Sequence, residues 1–442
     1  MATGETQTET TWAELLGSKH WEGLLDPLDL NLRKLILRCG DFCQATYDAF
    51  NSDQNSNYCG SSRYGKTSFF HKVSFPSASD YEVASFLYAT SRIDVPKSFL
   101  LHSLSREAWD RESNWIGYIA VTTDQVSQAT GRREIYVAWR GTIRNLEWID
   151  VLDAKRASIK PLLNPSKQQK QPPPTLQQKQ HWYGTLFGHN NNGNNDDGAG
   201  NSGSDSDDDD DEKIPKVMKG WLTIYTSDDP KSPFTKTSAR TQILTKIKEL
   251  VTRYKDEDLS ITFAGHSLGA SLSILSAFDL VENGLSTIPI AAFVFGCPQV
   301  GNKAFNDMLN SFPNLKILHI RNKIDVIPHY PSKLLGYYYS GIELVIDTRK
   351  SPRLKDSKYP GDWHNLQAML HVVAGWNGEE REFELKVKRT LALVNKSCDF
   401  LKDECLVPGS WWVEKNKGMV LDEGGEWVLA QPDDEDMPVP EY

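Results

Sequence analysis

Ser267 lies in the pentapeptide Gly265-His266-Ser267-Leu268-Gly269. Before it comes the β-prone run Ser260-Ile261-Thr262-Phe263, and after it Leu268, Leu272, Leu275 and Leu280 recur close to helical spacing. A serine thrown out of a sharp strand-to-helix turn adopts a strained backbone, and the residues two places away on either side must be small to avoid clashing. Gly265 and Gly269 meet that demand, and Asn283-Gly284 supply a helix stop. The pattern predicts a nucleophile elbow around Ser267, flanked by His266; an inert glycine-rich loop is the alternative.

A neutral hydroxyl is a poor nucleophile near neutral pH, so Ser267 needs a base, and the base needs an orienting acid. On elbows of this type the partners follow in the order serine, acid, histidine. His364 and His371 lie far enough downstream to follow a separate acid, and spacing alone leaves both open. Asp325 ends the strand-like run Leu318-His319-Ile320-Arg321-Asn322-Lys323-Ile324, where an open α/β sheet presents functional groups. A turn or capping role for Asp325 is equally open at this point. Oxyanion stabilisation needs preorganised donors. The amide of Leu268 is one candidate. Thr142, after the strand pattern Glu134-Ile135-Tyr136-Val137-Ala138, is a second, against the plainer reading of Trp139-Arg140-Gly141-Thr142 as a strand-ending turn.

These candidates need a sheet to carry them, and the chain is long enough to bury one. At 442 residues, 39% apolar and 24% charged, it suits one α/β domain with decorations or two smaller units. Residues 10–60 read as helical, with Trp12, Leu15, Leu16 and Trp21, then Leu32, Leu35, Ile36, Leu37 and Phe42. An amphipathic helix is expected over 381–398 and a hairpin around Gly424-Gly425, followed by a mobile acidic end. Residues 160–212 run through Pro, Gln, Asn and Gly to a tract of acids, a composition that cannot bury enough apolar area to offset ordering entropy. They are expected to form a disordered surface insertion. Within it, 182–187 is an apolar island, and Ser204 and Ser206 lie among acids suited to an acid-directed kinase.

The blocks Arg140-Gly141-Thr142-Ile143-Arg144-Asn145, Lys216-Val217-Met218-Lys219-Gly220-Trp221-Leu222, the elbow, Gly296-Cys297-Pro298-Gln299-Val300-Gly301-Asn302 and Arg321-Asn322-Lys323-Ile324-Asp325-Val326-Ile327-Pro328 resemble, in that order, the class 3 lipases. With Asp362-Trp363-His364-Asn365-Leu366 and Pro408-Gly409-Ser410-Trp411-Trp412-Val413-Glu414, the chain is most similar to the class II plant phospholipases A1. The resemblance implies one α/β-hydrolase domain over 11–400 with a mainly parallel central sheet flanked by helices, after a flexible 1–10. The 160–212 insertion interrupts that domain, and a Trp-rich extension covers 401–442. It implies Ser267, Asp325 and His364 as the triad, with Thr142 and Leu268 at the oxyanion hole, so that His371 becomes a packing residue. It also implies a lid over roughly 143–216. The activity implied is hydrolysis of a glycerolipid at the sn-1 ester through an acyl-Ser267 intermediate; galactolipids and mono- or diacylglycerols are alternative substrates. Outside that reading stand a soluble carboxylesterase, a lipid-transfer module and a lipase-fold scaffold binding partners through its acidic insertion.

The net charge of −10 includes seven acids from 205–212. No basic field points to nucleic acid or to anionic membrane, so transient lipid contact is expected to rest on local apolar surface. Six cysteines, at 39, 43, 59, 297, 398 and 405, show no metal-ligand spacing; Cys398 and Cys405 are the one pair close enough in sequence to consider bridging. No cofactor and no metal is expected. The acidic N-terminus, with neither an apolar core nor Arg-rich character, predicts a cytoplasmic protein.

Overall fold

A computed structural model describes residues 10–90, 113–142, 154–165, 212–412, 419–429 and 433–441. Its strands are β1 (Tyr81–Thr90), β2 (Ser113–Thr122), β3 (Arg133–Trp139), β4 (Arg156–Ser158), β5 (Lys216–Met218), β6 (Leu259–His266), β7 (Ile290–Phe295), β8 (Leu315–Asn322), β9 (Ile342–Ile346), β10 (Met419–Leu421) and β11 (Trp427–Leu429). Seven form one sheet in the order β1-β2-β3-β6-β7-β8-β9. β1, β2 and β3 are antiparallel, and β3, β6, β7, β8 and β9 run parallel. All residues of β2, β3 and β7 are buried, as interior strands of a sheet covered on both faces are.

Alternation along the strands divides the core in two. Tyr136 and Ala138 of β3 pack on the side of helices Leu30–Asp48 and Leu366–Gly375. Ile135, Val137 and Trp139 pack with helices Lys219–Thr226, Ala239–Arg253, Leu268–Glu282 and Lys303–Asn310. This three-layer arrangement, with an elbow between β6 and the central helix, is the α/β-hydrolase architecture. Helix Leu268–Glu282 is buried along its whole length and stops at Asn283, before Gly284 at φ +122.

Helix Leu30–Asp48 starts where Asp29 accepts the amides of Asn31 and Leu32, both at 2.9 Å. Phe42 docks it onto the sheet, stacked on Tyr136 at 4.3 Å and edge-on to Tyr81 at 5.1 Å. Burying such a ring stabilises by about 1.5–3 kcal/mol, with about 0.5–1.5 kcal/mol more for each well-arranged aromatic pair. The same anchoring fixes Tyr47, further along this helix.

Several sequence expectations change. The N-terminal region is not helical throughout 10–60: one turn, Trp12–Leu15, precedes the long helix, and Gly17 and Gly23 both take positive φ between them. Beyond Phe50 the Asn- and Ser-rich stretch folds into turns. Residues 381–398 do not form a helix. Phe383, Leu385 and Val387 alternate with Glu384, Lys386 and Lys388, a period of two. The amides of Glu384 and Lys386 bond the carbonyls of Gly375 and Ala374, and only Leu391–Lys396 coils, as a 3-10 turn. β10 and β11 do pair as the expected hairpin. The acidic end is docked rather than free: Asp436 is buried and takes Lys72 at 2.6 Å and the Gly65 amide at 2.8 Å, while Glu441 takes Lys66 at 2.9 Å.

Packed chain also extends past residue 160. Lys160–Leu162 is a 3-10 turn whose Leu162 is fully buried. β4 pairs antiparallel with β5, and Arg156 bonds Glu212 at 2.5 Å. The stretch between therefore leaves and re-enters the fold at adjacent points. Residues 166–211, with the apolar island and both candidate phosphorylation serines, lie outside the described residues. So do residues 143–153 of the expected lid. All six cysteines are free, Cys398 and Cys405 included. Among the described residues, no helix is long and apolar enough to cross a membrane.

Candidate active site

β6 delivers its chain at the centre of the sheet and then turns sharply into helix Leu268–Glu282. At the turn Ser267 takes φ +58 and ψ −125, a conformation an L-residue holds only when its surroundings impose it. The flanking hydrogen bond is Ser267 N–H to Phe295 O, at 3.0 Å. A Cβ on Gly265 would stand 2.1 Å from Gly269 O, and one on Gly269 would stand 2.3 Å from Trp139 O. Both glycines are thus required because strand, helix and β3 meet backbone to backbone. His266 completes the elbow on the opposite side from Leu268.

Asp325 follows β8 at the same, carboxyl, edge of the sheet, buried to 1% exposure. Its Oδ1 accepts the Ile327 amide at 3.0 Å, and its Oδ2 lies 2.6 Å from His364 Nδ1. A carboxylate oxygen accepts, so Nδ1 carries the proton and Nε2 keeps its lone pair. Around His364 the backbone is gripped twice. Asn322 Nδ2 donates to Trp363 O at 2.8 Å, and His266 Nε2 donates to His364 O at 2.9 Å. Gly296, at φ +53, lets the loop after β7 pass beside the pair: a Cβ there would be 2.7 Å from His364 Cε1.

His364 Nε2 and Ser267 Oγ are both enclosed, and neither has a hydrogen-bond partner among the described residues. An unpaired lone pair and an unpaired hydroxyl on neighbouring elements are the two atoms a proton transfer would join; such contacts commonly tighten only when substrate arrives.

Tyr47 is the component that sequence reasoning missed. Its Oη lies 2.8 Å from His266 Nδ1. Because His266 Nε2 must donate to a carbonyl, Nδ1 is the acceptor and Tyr47 donates. Burial, followed by the neighbouring His364, holds the His266 pKa well below the ordinary histidine value, so the ring stays neutral. The His266 and His364 rings are 4.5 Å apart. A continuous path thus runs from Tyr47 through His266 to the main chain of His364. A tyrosine some 220 positions before the elbow carries no spacing signal that could have revealed it.

Thr142 ends the described chain after β3, half-buried. The turn before it is pinned by Arg140, buried and pushed down to about 10 by that burial, which donates to Trp115 O at 3.1 Å and Gly141 O at 2.9 Å and covers the Phe50 ring at 3.8 Å. The Leu268 amide opens the elbow helix, where the first N–H groups have no intrahelical acceptor. His371 lies elsewhere, 2.8 Å from Ser351 Oγ and against Phe383.

Known proteins similar to this chain fall in one family. The family model for lipase (class 3) matches residues 136–335. Phospholipase A1-IIdelta of Arabidopsis thaliana is 60% identical over 436 residues, covering 98% of this chain and 99% of that protein. Phospholipase A1-II 5 of Oryza sativa subsp. indica is 50% identical over 438 residues, covering 97% and 84% respectively. A native Rhizomucor miehei lipase propeptide complex aligns over 73% of this chain and 70% of that one, at 16% identity and a TM-score of 0.41. The chain belongs to the class 3 lipases, and within them to the class II phospholipases A1.

Proposed function

We propose that this chain is a serine phospholipase A1, hydrolysing the sn-1 ester of glycerophospholipids to a fatty acid and a 2-acyl lysophospholipid. The observation that carries the reading is the buried Asp325–His364 pair, at 2.6 Å, beside the strained Ser267 of the elbow. Ser267 Oγ attacks the ester carbonyl as His364 Nε2 takes its proton. Asp325 holds the imidazole in the tautomer that leaves Nε2 free and stabilises the imidazolium. The amides of Leu268 and Thr142 receive the oxyanion. Collapse of the tetrahedral intermediate expels the lysolipid alkoxide, which His364 protonates. Water, deprotonated by the same imidazole, then releases the fatty acid from Ser267.

Choice of the A1 position rests on the named relatives, 60% and 50% identical. Transient contact with lipid surfaces and a protein partner for the acidic segment belong to the same proposal. So does a reducing, cytoplasmic setting, on the strength of six free thiols.

The test is product analysis by mass spectrometry on phosphatidylcholine bearing different acyl chains at sn-1 and sn-2. Wild type releases the sn-1 fatty acid; Ser267→Ala, Asp325→Asn and His364→Ala lose most of that turnover, and His371→Ala keeps it. Release from galactolipids or diacylglycerols alone would replace phospholipid as substrate. Activity in Ser267→Ala would remove the mechanism.

A further inference from the structure

The loop that follows Asp325 turns apolar side chains outward. Leu334 is 97% exposed and Leu335 51%, on a 3-10 turn, Lys333–Leu335, closed by Gly336 at φ +73. Val326, next to Asp325, is 44% exposed, and Tyr359, five residues before His364, is 49% exposed. Isolated exposed leucines are ordinary on a protein surface. These are set apart by where they stand and by how firmly they are held.

The loop springs from the carboxyl end of β8, the edge at which Ser267 and His364 also stand. Its flanks are fixed. Gln299 N–H donates to Tyr330 O at 2.9 Å and Tyr338 N–H donates to Gly301 O at 3.0 Å, so both arms are tied to the loop after β7 that passes beside His364. The buried Tyr337 donates its hydroxyl to Ala154 O at 2.8 Å, tying the tip to the base of the β4–β5 pair. Two adjacent leucines held in water by a bonded frame gain little from folding of the chain that carries them. They would gain from an apolar phase.

We infer that the Lys333–Leu335 turn is the lipid-contacting knob of this protein, lodging Leu334 and Leu335 among the acyl chains of a phospholipid surface so that the ester region faces Ser267. This rests on the phospholipase reading given above. The net charge of −10 gives the chain no long-range attraction to an anionic surface, which leaves apolar insertion as the source of contact. Continuity with the site supplies the occupant: a substrate whose acyl chains lie in a lipid layer has to be reached from that layer.

The experiment is co-sedimentation of the full chain with phosphatidylcholine vesicles, in a Ser267→Ala background so that no lipid is consumed. The double substitution Leu334→Ser with Leu335→Ser lowers vesicle partitioning by about tenfold or more, the scale set by withdrawing two leucine side chains from an apolar phase. Leu406→Ser, at an 89% exposed leucine of the C-terminal extension, leaves it unchanged. Raising salt from about 0.1 M to about 1 M does not weaken the parent's binding. With Ser267 intact, the double variant keeps its kcat/KM on monomeric dibutyryl phosphatidylcholine, which also shows that it folds.

Unaltered partitioning of the double variant overturns the inference. Equal loss in Leu406→Ser, or a parent that does not bind the vesicles, overturns it as well. If the knob governs binding but no sn-1 fatty acid is ever released, the surface stands and the phospholipase reading falls.

Discussion

Tyr47→Phe removes one oxygen from the path that holds His364, and its cost can be worked out in advance. The hydroxyl serves a buried group, His266 Nδ1 at 2.8 Å. The phenyl ring fills the same space and brings no donor or acceptor. A buried polar group left unpaired costs about 1–3 kcal/mol, so the loss of this bond should cost about that much. The expected catalytic effect is separate. With Nδ1 unpaired, His266 is free to turn or change tautomer, the bond from its Nε2 to His364 O weakens, and the imidazole loses one of its two backbone grips. A misplacement of a few tenths of an ångström to 1 Å in a base lowers kcat by about ten- to a hundredfold, with KM nearly unaffected.

Urea unfolding gives the first quantity and steady-state hydrolysis of a short-chain phospholipid gives the second. Tyr118→Phe is the control. Tyr118 lies on the same face of the sheet, fully buried, and donates to Phe42 O at 2.9 Å without touching His266. Its loss removes a second bond to a carbonyl that the helix already uses, and should cost about 0.5–1.5 kcal/mol of stability with kcat intact. If both variants lose stability and neither loses kcat, Tyr47 merely packs the helix, and the positioning argument fails. If Tyr47→Phe changes neither quantity, the path through His266 does not exist in solution.

Acid should weaken the fold through its buried histidines. Burial takes His371 down to about 4 and His319 to about 3, and lowers His266 as well, so the unfolded chain binds protons that the native chain refuses. Each contribution is fully present above the unfolded value near 6.5 and is lost as pH falls toward the folded value, about 2 kcal/mol per histidine between pH 7 and 5. Asp48, Asp279 and Asp362, raised by burial, oppose this. The clean measurement is therefore the stability difference between wild type and His371→Gln at the two pH values; a pH-independent difference would refute the argument. Gly269→Ala drives a methyl to 2.3 Å from Trp139 O and should cost at least about 3 kcal/mol, read as a fall in melting temperature with loss of activity, whereas a wild-type melting curve would mean that the elbow is looser than described. Replacing residues 166–211 by a short Gly-Ser linker should leave the fold intact or up to about 2 kcal/mol more stable, because β4 and β5 already hold the two ends together, and aggregation of the excised protein would show that the segment packs.

What could be read from the sequence, and what could not, divides by the range of the interactions involved. The elbow was legible because its constraint is local: five consecutive residues must satisfy one turn, and only glycine fits where Gly265 meets Gly269 O. The central helix announced itself by its leucine spacing, and the hairpin by Gly424-Gly425. Failures came where a segment takes its conformation from a partner distant in sequence. Residues 381–398 carry enough charge and apolar periodicity to suggest a helix, yet the free carbonyls at the end of helix Leu366–Gly375 capture the amides of Glu384 and Lys386 in an extended path. The acidic end looked mobile because its acids seemed unpaired, and its partners, Lys66, Lys72 and the Gly65 amide, lie more than 360 positions earlier.

The same distinction explains why Tyr47 was invisible while His266 was not. His266 sits inside a motif whose spacing fixes its place. Tyr47 reaches the site only because Phe42 docks the helix Leu30–Asp48 against Tyr81 and Tyr136, contacts that link three separate parts of the chain. A local motif thus specifies Ser267 and the turn that carries it, whereas the groups that hold His364 in position are set by packing across the whole domain. It follows that substitutions at the Phe42 contact, far from any reacting atom, should lower turnover as well as stability. The loss in kcat for Phe42→Leu ought to vanish in a Tyr47→Phe background, since both changes act through His266; additive losses in the double variant would mean that the helix reaches the site by some other route.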